Sequence, residues 1–156
     1  MKQDKINYRK AKISDVESIH SLITHFASKD QMLARSLSSL YEGVREFIVA
    51  EAEGRVIGAG ALHIIWNDLA EIRSLAVEEN YQHQKIGYHM VETFLGEAWD
   101  LGIHTVLALT YQDKFFCKCG FQLIAKEDLP HKVWKDCINC PKFPNCDEIA
   151  VTKQLG

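Results

Sequence analysis

Apolar and polar residues recur with two different periods along this chain, and the changes of period predict strands and helices in turn. Period-two or continuous apolar runs predict strands at residues 6–9, 47–51, 56–66, 69–77, 105–110, 121–125 and 148–152. Recurrence every three or four residues predicts helices at residues 14–26, 36–45, 86–101 and 113–119. The predicted order is β-αα-βββ-α-β-α-ββ, which indicates an α+β fold.

The ends of the predicted elements carry typical cap and turn residues. Residues 14–17 read Ser-Asp-Val-Glu, which predicts a capping box at the start of the first helix. Residues 52–55 place a glycine in the hairpin turn between the second and third strands. Gly102 and Gly120 follow the third and fourth helices, where glycine commonly ends a helix.

Length and composition indicate a single domain, residues 1–156, with a cysteine-rich tail at about residues 129–148. A chain of 156 residues with 47% hydrophobic content can bury one sizeable core. The net charge of −3 and the scattered lysines and arginines argue against a nucleic-acid partner. No apolar run approaches the roughly 20 residues of a membrane span, and none follows the first residues, so we expect a cytoplasmic protein without a membrane partner.

Residues 71–77 form a strand-like run, EIRSLAV, that leads into the polar turn EENYQHQK and then into a helical pattern. Backbone N–H groups at the start of a helix have no partner within the helix, and the helix dipole adds positive potential there. A strand, turn and helix in this order are suited to hold a pyrophosphate group. An ordinary helix start without a ligand is the alternative interpretation.

The same stretch resembles the acetyl-CoA loop of the GNAT N-acetyltransferase superfamily, which reads Gln/Arg-x-x-Gly-x-Gly/Ala after the fourth strand. Here residues 82–87 read Gln-His-Gln-Lys-Ile-Gly, so Lys85 replaces the first glycine of the pattern. Lysine can serve there, with its ammonium on a phosphate, provided that the backbone does not need a positive φ.

Three further segments extend the resemblance over most of the chain. Residues 115–121, FFCKCGF, align with the Phe-Tyr-x-x-x-Gly-Phe helix of the superfamily, and residues 109–111, LTY, look like a segment of amino-acid N-acetyltransferases. Residues 32–36, MLARS, look like the Leu-x-x-Arg-Ser of N-acetylglutamate synthases, and the tail looks like that of their short bacterial forms. The resemblance implies the GNAT acyltransferase fold, with a mixed, mostly antiparallel sheet flanked by helices.

The resemblance also implies acetyl-CoA as the cosubstrate. Its pantetheine is expected beside the end of the fourth strand, and its pyrophosphate on the loop that follows. The residues expected to contact it are Leu75, Ala76, Val77, Gln82, His83, Gln84, Lys85, Ile86, Gly87 and Phe116.

Acetyl transfer to an amine needs a base, because a protonated amine cannot attack a thioester. Glu71 lies eleven residues before Gln82, a spacing that resembles that of the catalytic glutamate in histone-type members of the superfamily. A carboxylate with apolar neighbours can act as a base, directly or through water. The alternative is a solvated strand residue, or an ion-pair partner of Arg73.

The thiolate that leaves can take a proton from an acid. Many superfamily members use the tyrosine of the Phe-Tyr helix, but Phe116 stands at that position. Tyr111 is the nearest candidate. An interface tyrosine with no chemical role, and protonation by solvent, are the alternatives.

A dicarboxylate acceptor calls for planar, bidentate cations, and arginine supplies them better than lysine. Arg35, Ser36 and Arg73 are the candidate acceptor-binding residues. The period of two places Arg73 on the same side of its strand as Glu71 and Leu75. The alternatives are an exposed residue at a helix start for Arg35 and a structural partner of Glu71 for Arg73.

Cys137, Cys140 and Cys146 have the short spacing at which thiolates converge on a metal ion. In a cytosolic protein such a cluster is more often a metal or redox site than a disulfide framework. A structural zinc is therefore a candidate, and cysteines that only pack in the tail are the alternative.

The resemblance implies an acetyl-CoA-dependent N-acetyltransferase that acts on the α-amine of an amino acid, with L-glutamate, and thus arginine biosynthesis, preferred. The alternatives are N-acetylation of another small amine or amino acid, and a non-catalytic acyl-CoA or amino-acid sensor. The expected partners are acetyl-CoA and a small amino acid, and a homodimer is left open.

Overall fold

The computed structural model describes residues 5–130, 133 and 147–156. The strands are β1 (Ile6–Lys10), β2 (Phe47–Ala52), β3 (Arg55–Trp66), β4 (Leu69–Val77), β5 (Thr105–Thr110), β6 (Gln122–Ile124) and β7 (Ile149–Gln154). The α-helices are α1 (Val16–Ala27), α2 (Leu37–Glu42), α3 (Ile86–Asp100) and α4 (Asp113–Lys118). Short 3-10 turns lie at Ile13–Asp15, Val44–Glu46, Glu79–Tyr81 and Lys126–Asp128. The predicted order of strands and α-helices is confirmed.

The strands form one mixed sheet in the order β1-β2-β3-β4-β5-β7-β6. The pairs β1–β2, β2–β3, β5–β7 and β6–β7 are antiparallel. Strands β4 and β5 instead pair in parallel, at Ala70–Val106 and Glu71–Leu107. A parallel pair needs a crossover connection, and α3 lies in it. The predicted mixed, mostly antiparallel sheet flanked by helices is confirmed.

The chain divides into two compact units. The first contains Met1–Leu62 and Ile72–Phe94, and the second contains His63–Glu71 and Leu95–Gly156. The core of the first unit includes Val16, Ile19, Ile23, Leu40, Phe47, Val49, Ala59 and Ala61. The core of the second includes Leu69, Leu107, Leu129, Val133 and Ala150. Within the described ranges, no helix has both the length and the apolar character to cross a membrane.

The start of α1 differs from the predicted capping box. Ser14 lies inside the 3-10 turn Ile13–Asp15, and the backbone N–H of Lys12 donates to Asp15 Oδ2 at 2.7 Å. The Arg9 guanidinium donates to both oxygens of Asp15 at 2.8 and 3.0 Å and holds the pKa of that carboxyl below its usual range. The prediction for Ser14 is wrong: the N-cap of α1 is Asp15, whose side chain makes no cap hydrogen bond to α1 and bonds instead to Lys12 and Arg9.

Turn residues with left-handed backbones set the ends of several elements. The β2–β3 hairpin turns through Glu53 at φ 52° and Gly54 at φ 76°, as a two-residue turn of this hand requires. Gly102 at φ 86° follows α3 and Gly120 at φ 94° follows α4, as predicted. The second predicted helix, residues 36–45, is instead α2 and a separate 3-10 turn, divided at Gly43.

Strands β3 and β4 and helix α3 approach closely at Gly60. A Cβ atom at this position would lie 3.0 Å from Leu75 Cδ1 and 3.0 Å from Phe94 Cε2. Glycine therefore leaves room for the side chains of Leu75, in the second half of β4, and Phe94 of α3. Both side chains pack against Gly60 beside the part of β4 that leads into the candidate cofactor loop.

Candidate active site

The loop between β4 and α3 contains two non-glycine residues with a left-handed backbone. His83 has a φ of 69° and Lys85 a φ of 62°. Left-handed residues of this kind turn nearby backbone N–H groups toward a common concave side, which is an arrangement that binds anions. The Gln82 side chain closes the loop by donating to the Val77 carbonyl oxygen at 3.0 Å. Residues 82–87 therefore have the local geometry of an anion-binding loop at the start of α3.

Lys85 adopts the conformation that a glycine would adopt without strain. Lysine was expected to serve here only if the backbone does not need a positive φ. The φ of Lys85 is positive, so this condition is not met. A left-handed conformation costs a residue with a Cβ atom roughly 1–2 kcal/mol. Strain of this kind is concentrated at functional segments of proteins.

Replacement of Lys85 by glycine is expected to stabilise the fold. The change removes the left-handed strain but adds about 0.5–1 kcal/mol of chain entropy to the unfolded state. The free energy of unfolding should therefore rise by about 1 kcal/mol, as measured by denaturant unfolding. Lys85→Ala removes the same charge but keeps a Cβ atom, and it should give no such gain. Equal free energies of unfolding for the two variants would contradict the strain.

Ion pairs fix the 3-10 turn in front of this loop to α1 and β3. The carboxylate of Glu79 pairs with His25 Nε2 at 2.7 Å and with Lys29 Nζ at 2.5 Å. Glu78 pairs with Arg55 at the start of β3. These side chains are largely exposed, so each pair contributes little to stability. Together these ion pairs connect the 3-10 turn to α1 and β3, and so they restrict the position of the loop that follows the turn.

Strand β4 contains one left-handed residue, Ser74, with a φ of 56°. Neighbouring residues of a regular strand face opposite sides, and a left-handed residue interrupts this alternation. As a result, Ser74 Oγ lies 3.5 Å from Arg35 Nη1, while the charge of the adjacent Arg73 also acts on Arg35. The alternation that predicts a common side for Arg73 and Leu75 is thus interrupted between them.

The Arg35 guanidinium is held by contacts from several segments of the first unit. Its Nε and Nη2 donate to Ser39 Oγ at 3.1 and 2.9 Å, and its carbon lies 5.3 Å from the centre of the Phe47 ring. Burial lowers the pKa of Arg35, the nearby charge of Arg73 lowers it further, and Glu46 opposes both. Two guanidinium groups that repel one another form a place where an anion is favoured.

Ser36 caps the helix that carries Ser39. The Ser36 hydroxyl oxygen accepts from the Ser39 backbone N–H at 3.1 Å, as an N-cap serine does. This bond orders the first turn of α2 beside Arg35. A direct contact of Ser36 with the acceptor stays a prediction.

In the second unit, the predicted base Glu71 is only 6% exposed. It lies on β4 opposite Leu107 of β5, in the parallel part of the sheet. The carboxyl group is therefore largely shielded from bulk water, as the predicted base should be. Its role in proton transfer stays a prediction.

The other two predicted residues of the second unit are already engaged with neighbours. The Tyr111 hydroxyl donates to Asp147 Oδ1 at 2.6 Å. Loss of the Tyr111 proton would place two negative charges side by side, which argues against its donating that proton to a thiolate. Phe116 is 4% exposed, and its ring centre lies 5.2 Å from those of Phe115 and Phe121. Its contact with acetyl-CoA stays a prediction.

Cys137, Cys140 and Cys146 lie outside the described residues, so the structural zinc stays a prediction from the sequence. In the described part of the chain, no group of three or more His, Cys, Asp or Glu residues is arranged to hold a metal ion. Of the two described cysteines, Cys117 is exposed and Cys119 is buried.

Three neighbours of Arg35 were not identified from the sequence: Ser39, Phe47 and Ser74. The spacing of four residues between Arg35 and Ser39, across the start of a predicted helix, was the one local signal for the first of them. The other two reach Arg35 only through the folding of β2 and β4 beside α2.

Comparison with known sequences relates the chain to N-acetyltransferases. Residues 14–121 match the model of the acetyltransferase (GNAT) family. An uncharacterized N-acetyltransferase of Chlorobaculum tepidum is 40% identical over 147 residues, which are 94% of this chain and 95% of the relative. The amino-acid acetyltransferase of Mycobacterium tuberculosis is 42% identical over 116 residues, which are 72% of this chain and 66% of the relative.

Comparison with solved structures gives the same relationship. The Mycobacterium tuberculosis protein Rv2747, solved in complex with CoA, superposes with a TM-score of 0.85 at 33% identity, over 96% of this chain and 99% of that protein. The N-acetylglutamate synthase of Neisseria gonorrhoeae, complexed with coenzyme A and N-acetyl-glutamate, gives a TM-score of 0.88 at 25% identity. That match covers 99% of this chain but 36% of the synthase.

Proposed function

The chain belongs to the acetyltransferase (GNAT) family, and on that premise we propose that it transfers acetyl from acetyl-CoA to the α-amine of L-glutamate. Acetyl-CoA-dependent N-acetyl transfer follows from the family, and the relatives named amino-acid acetyltransferase are 31–42% identical. Glutamate is supported by the Neisseria synthase, whose structure contains N-acetyl-glutamate. The reaction would open arginine biosynthesis, and because both of its substrates are cytoplasmic metabolites, we place it in the cytoplasm.

The choice of glutamate as the acceptor rests on one observation, the pair Arg35 and Arg73. Arg35 is half-buried, fixed by Ser39 and Phe47, and close enough to Arg73 for the two charges to repel one another. Glu46 offsets part of that repulsion, and a carboxylate that binds a guanidinium through two parallel hydrogen bonds would offset it further, whereas a neutral ligand would not. Glutamate has one carboxylate on the α-carbon and one on the side chain, so it can bind both arginines.

Acetyl-CoA is proposed to bind with its pyrophosphate on the backbone amides of residues 82–87. The left-handed backbones of His83 and Lys85 support this assignment, because such residues build concave anion sites. The pantetheine is assigned to the end of β4, beside Leu75, Ala76 and Val77. Leu75 and Phe94 of α3 both pack against Gly60, which places this segment beside the helix that follows the loop.

In the proposed reaction, Glu71 removes a proton from the acceptor amine, directly or through a water molecule. The amine nitrogen then forms a bond to the acetyl carbonyl carbon and gives up its second proton to solvent, and the bond from that carbon to sulfur breaks. The thiolate of CoA leaves and takes a proton. Solvent is the preferred donor, because the Tyr111 hydroxyl is already bonded to the Asp147 carboxylate.

Two other functions make different predictions for the same assay. An enzyme for another small amine or amino acid would release CoA with that acceptor and not with glutamate. A non-catalytic acyl-CoA or amino-acid sensor would bind acetyl-CoA without releasing CoA in the presence of any amine. The replacement of a family glycine by Lys85 and of a family tyrosine by Phe116 is the observation that keeps the sensor in consideration.

The experiment that tests the proposal is an acetyl-CoA turnover screen with the twenty amino acids and common polyamines. Release of the CoA thiol is followed in a buffer free of phosphate and sulfate, and the N-acetyl product is identified by mass spectrometry. The highest kcat/KM with L-glutamate is the expected result. A preference for an acceptor without a second carboxylate would contradict the assignment of the arginine pair.

A further inference from the structure

We propose that Ser39 is a positioning residue that aims the Arg35 guanidinium at a carboxylate of the acceptor. The inference rests on the proposed function, because that carboxylate is the target of the guanidinium. Ser39 lies four residues after Arg35, within the first turn of α2. Its hydroxyl oxygen accepts from Nε at 3.1 Å and from Nη2 at 2.9 Å.

These two bonds occupy one particular edge of the guanidinium. The group is planar and carries five N–H bonds in a fixed fork, and each of its edges can hold one bidentate partner. Ser39 takes the edge formed by Nε and Nη2. Among the described residues, Nη1 contacts Ser74 Oγ at a longer 3.5 Å, and the charge of Glu46 also acts on Arg35. The edge formed by Nη1 and Nη2 is the one that remains for a carboxylate of the acceptor.

The ring of Phe47 restrains the same group from a different direction. It is fully buried, and the guanidinium carbon lies 5.3 Å from its centre. The ring limits where the guanidinium can lie, and the hydrogen bonds from Ser39 limit how it can rotate. The two contacts together restrict the direction of the edge formed by Nη1 and Nη2.

Ser39 also holds the Arg35 side chain in place before the acceptor arrives. Its hydroxyl oxygen accepts two hydrogen bonds from the guanidinium in the chain without a ligand. A long side chain loses considerable conformational entropy when it becomes fixed. Because this loss occurs during folding, it does not weaken the binding of the acceptor.

A purely structural role for the Ser39 hydroxyl would lie in the capping of α2. The capping bond, however, runs from the backbone N–H of Ser39 to the Ser36 hydroxyl oxygen. Alanine at position 39 keeps that N–H. Removal of the Ser39 hydroxyl therefore changes the orientation of the Arg35 guanidinium but leaves the capping bond of the helix in place.

The experiment compares three variants by steady-state kinetics with glutamate and acetyl-CoA. Ser39→Ala is expected to raise the KM for glutamate about 5- to 30-fold, with kcat and the KM for acetyl-CoA within about twofold of the parent. Ser39→Thr keeps a hydroxyl oxygen and should restore the KM to within about threefold. Ser38→Ala is the matched control, because Ser38 is exposed on the same helix, and it should behave as the parent.

Each outcome decides one point. A Ser39→Ala protein whose KM for glutamate equals that of Ser38→Ala would overturn the positioning role and leave the proposed function standing. Parallel increases in both KM values with a lowered melting temperature would also overturn it, in favour of a folding defect. A parent protein that acetylates no amino acid would overturn the proposed function itself, and this inference with it.

Discussion

Glu71→Gln is expected to lower the turnover number by about 10²-fold or more while the affinity for acetyl-CoA stays unchanged. Glutamine has the same size as glutamate but cannot accept the proton of the amine, and a general base typically contributes 10²- to 10⁴-fold to the rate. Glu71 is nearly fully buried, so a change of shape there would disturb the sheet, whereas this substitution preserves the shape. Turnover is measured by thiol release, and affinity by calorimetric titration with acetyl-CoA.

The pH profile separates loss of the base from loss of the fold. If Glu71 is the base, the acid limb of kcat/KM in the parent should be absent from the residual activity of the variant. Glu127→Gln makes the same chemical change at an exposed position of the second unit, and it should leave the rate unchanged. A Glu71→Gln enzyme with the rate and pH profile of the parent would assign proton removal to another group or to solvent.

Arg35→Ala and Arg73→Ala are each expected to raise the KM for glutamate about 10- to 150-fold. Loss of a charge-assisted hydrogen bond to a carboxylate costs about 1.5–3 kcal/mol, which corresponds to this range. The KM for acetyl-CoA should change little, because the cofactor is assigned to residues 75–77 and 82–87. The measurement is a pair of saturation curves for each variant, one with each substrate varied.

Arg45→Ala is the matched control for both substitutions. Arg45 lies in the 3-10 turn after α2 and is exposed, so its removal changes the net charge by the same amount. It should leave both KM values as in the parent. If Arg35→Ala and Arg73→Ala bind glutamate as well as Arg45→Ala does, the acceptor carboxylates bind elsewhere.

The sequence predicted the elements of the fold well wherever the period of apolar residues was clear. The bounds of β4 and β5 were predicted as residues 69–77 and 105–110, which is where the strands lie. Errors arose where a tertiary contact overrides a local signal. Ser14 has the residue type of a cap, but it lies inside a 3-10 turn whose Asp15 bonds to Arg9 and Lys12, and α1 begins only after that turn.

The candidate site was predicted less completely than the fold, for a physical reason. The strand, turn and helix of the candidate cofactor loop are local in sequence, and the pattern predicts them. The left-handed backbone at Ser74 has no such signal, because serine is not favoured in that conformation, and at Lys85 the one signal is the glycine of the family pattern. The contacts of Arg35 with the Phe47 ring and with Ser74 join segments far apart in the chain, which a periodic pattern does not register.

The two edge strands of the sheet bear on how the protein behaves at high concentration. An exposed edge is a template on which another chain can add a strand, and long, flat, apolar edges invite aggregation. In the described part of the chain, one edge is β6, which is only three residues long. The other is β1, a strand of five residues that ends in Arg9 and Lys10. Strand β6 is short, and the end of β1 carries charges that are paired or that repel another chain. Little exposed backbone is therefore left on which a fibril could start.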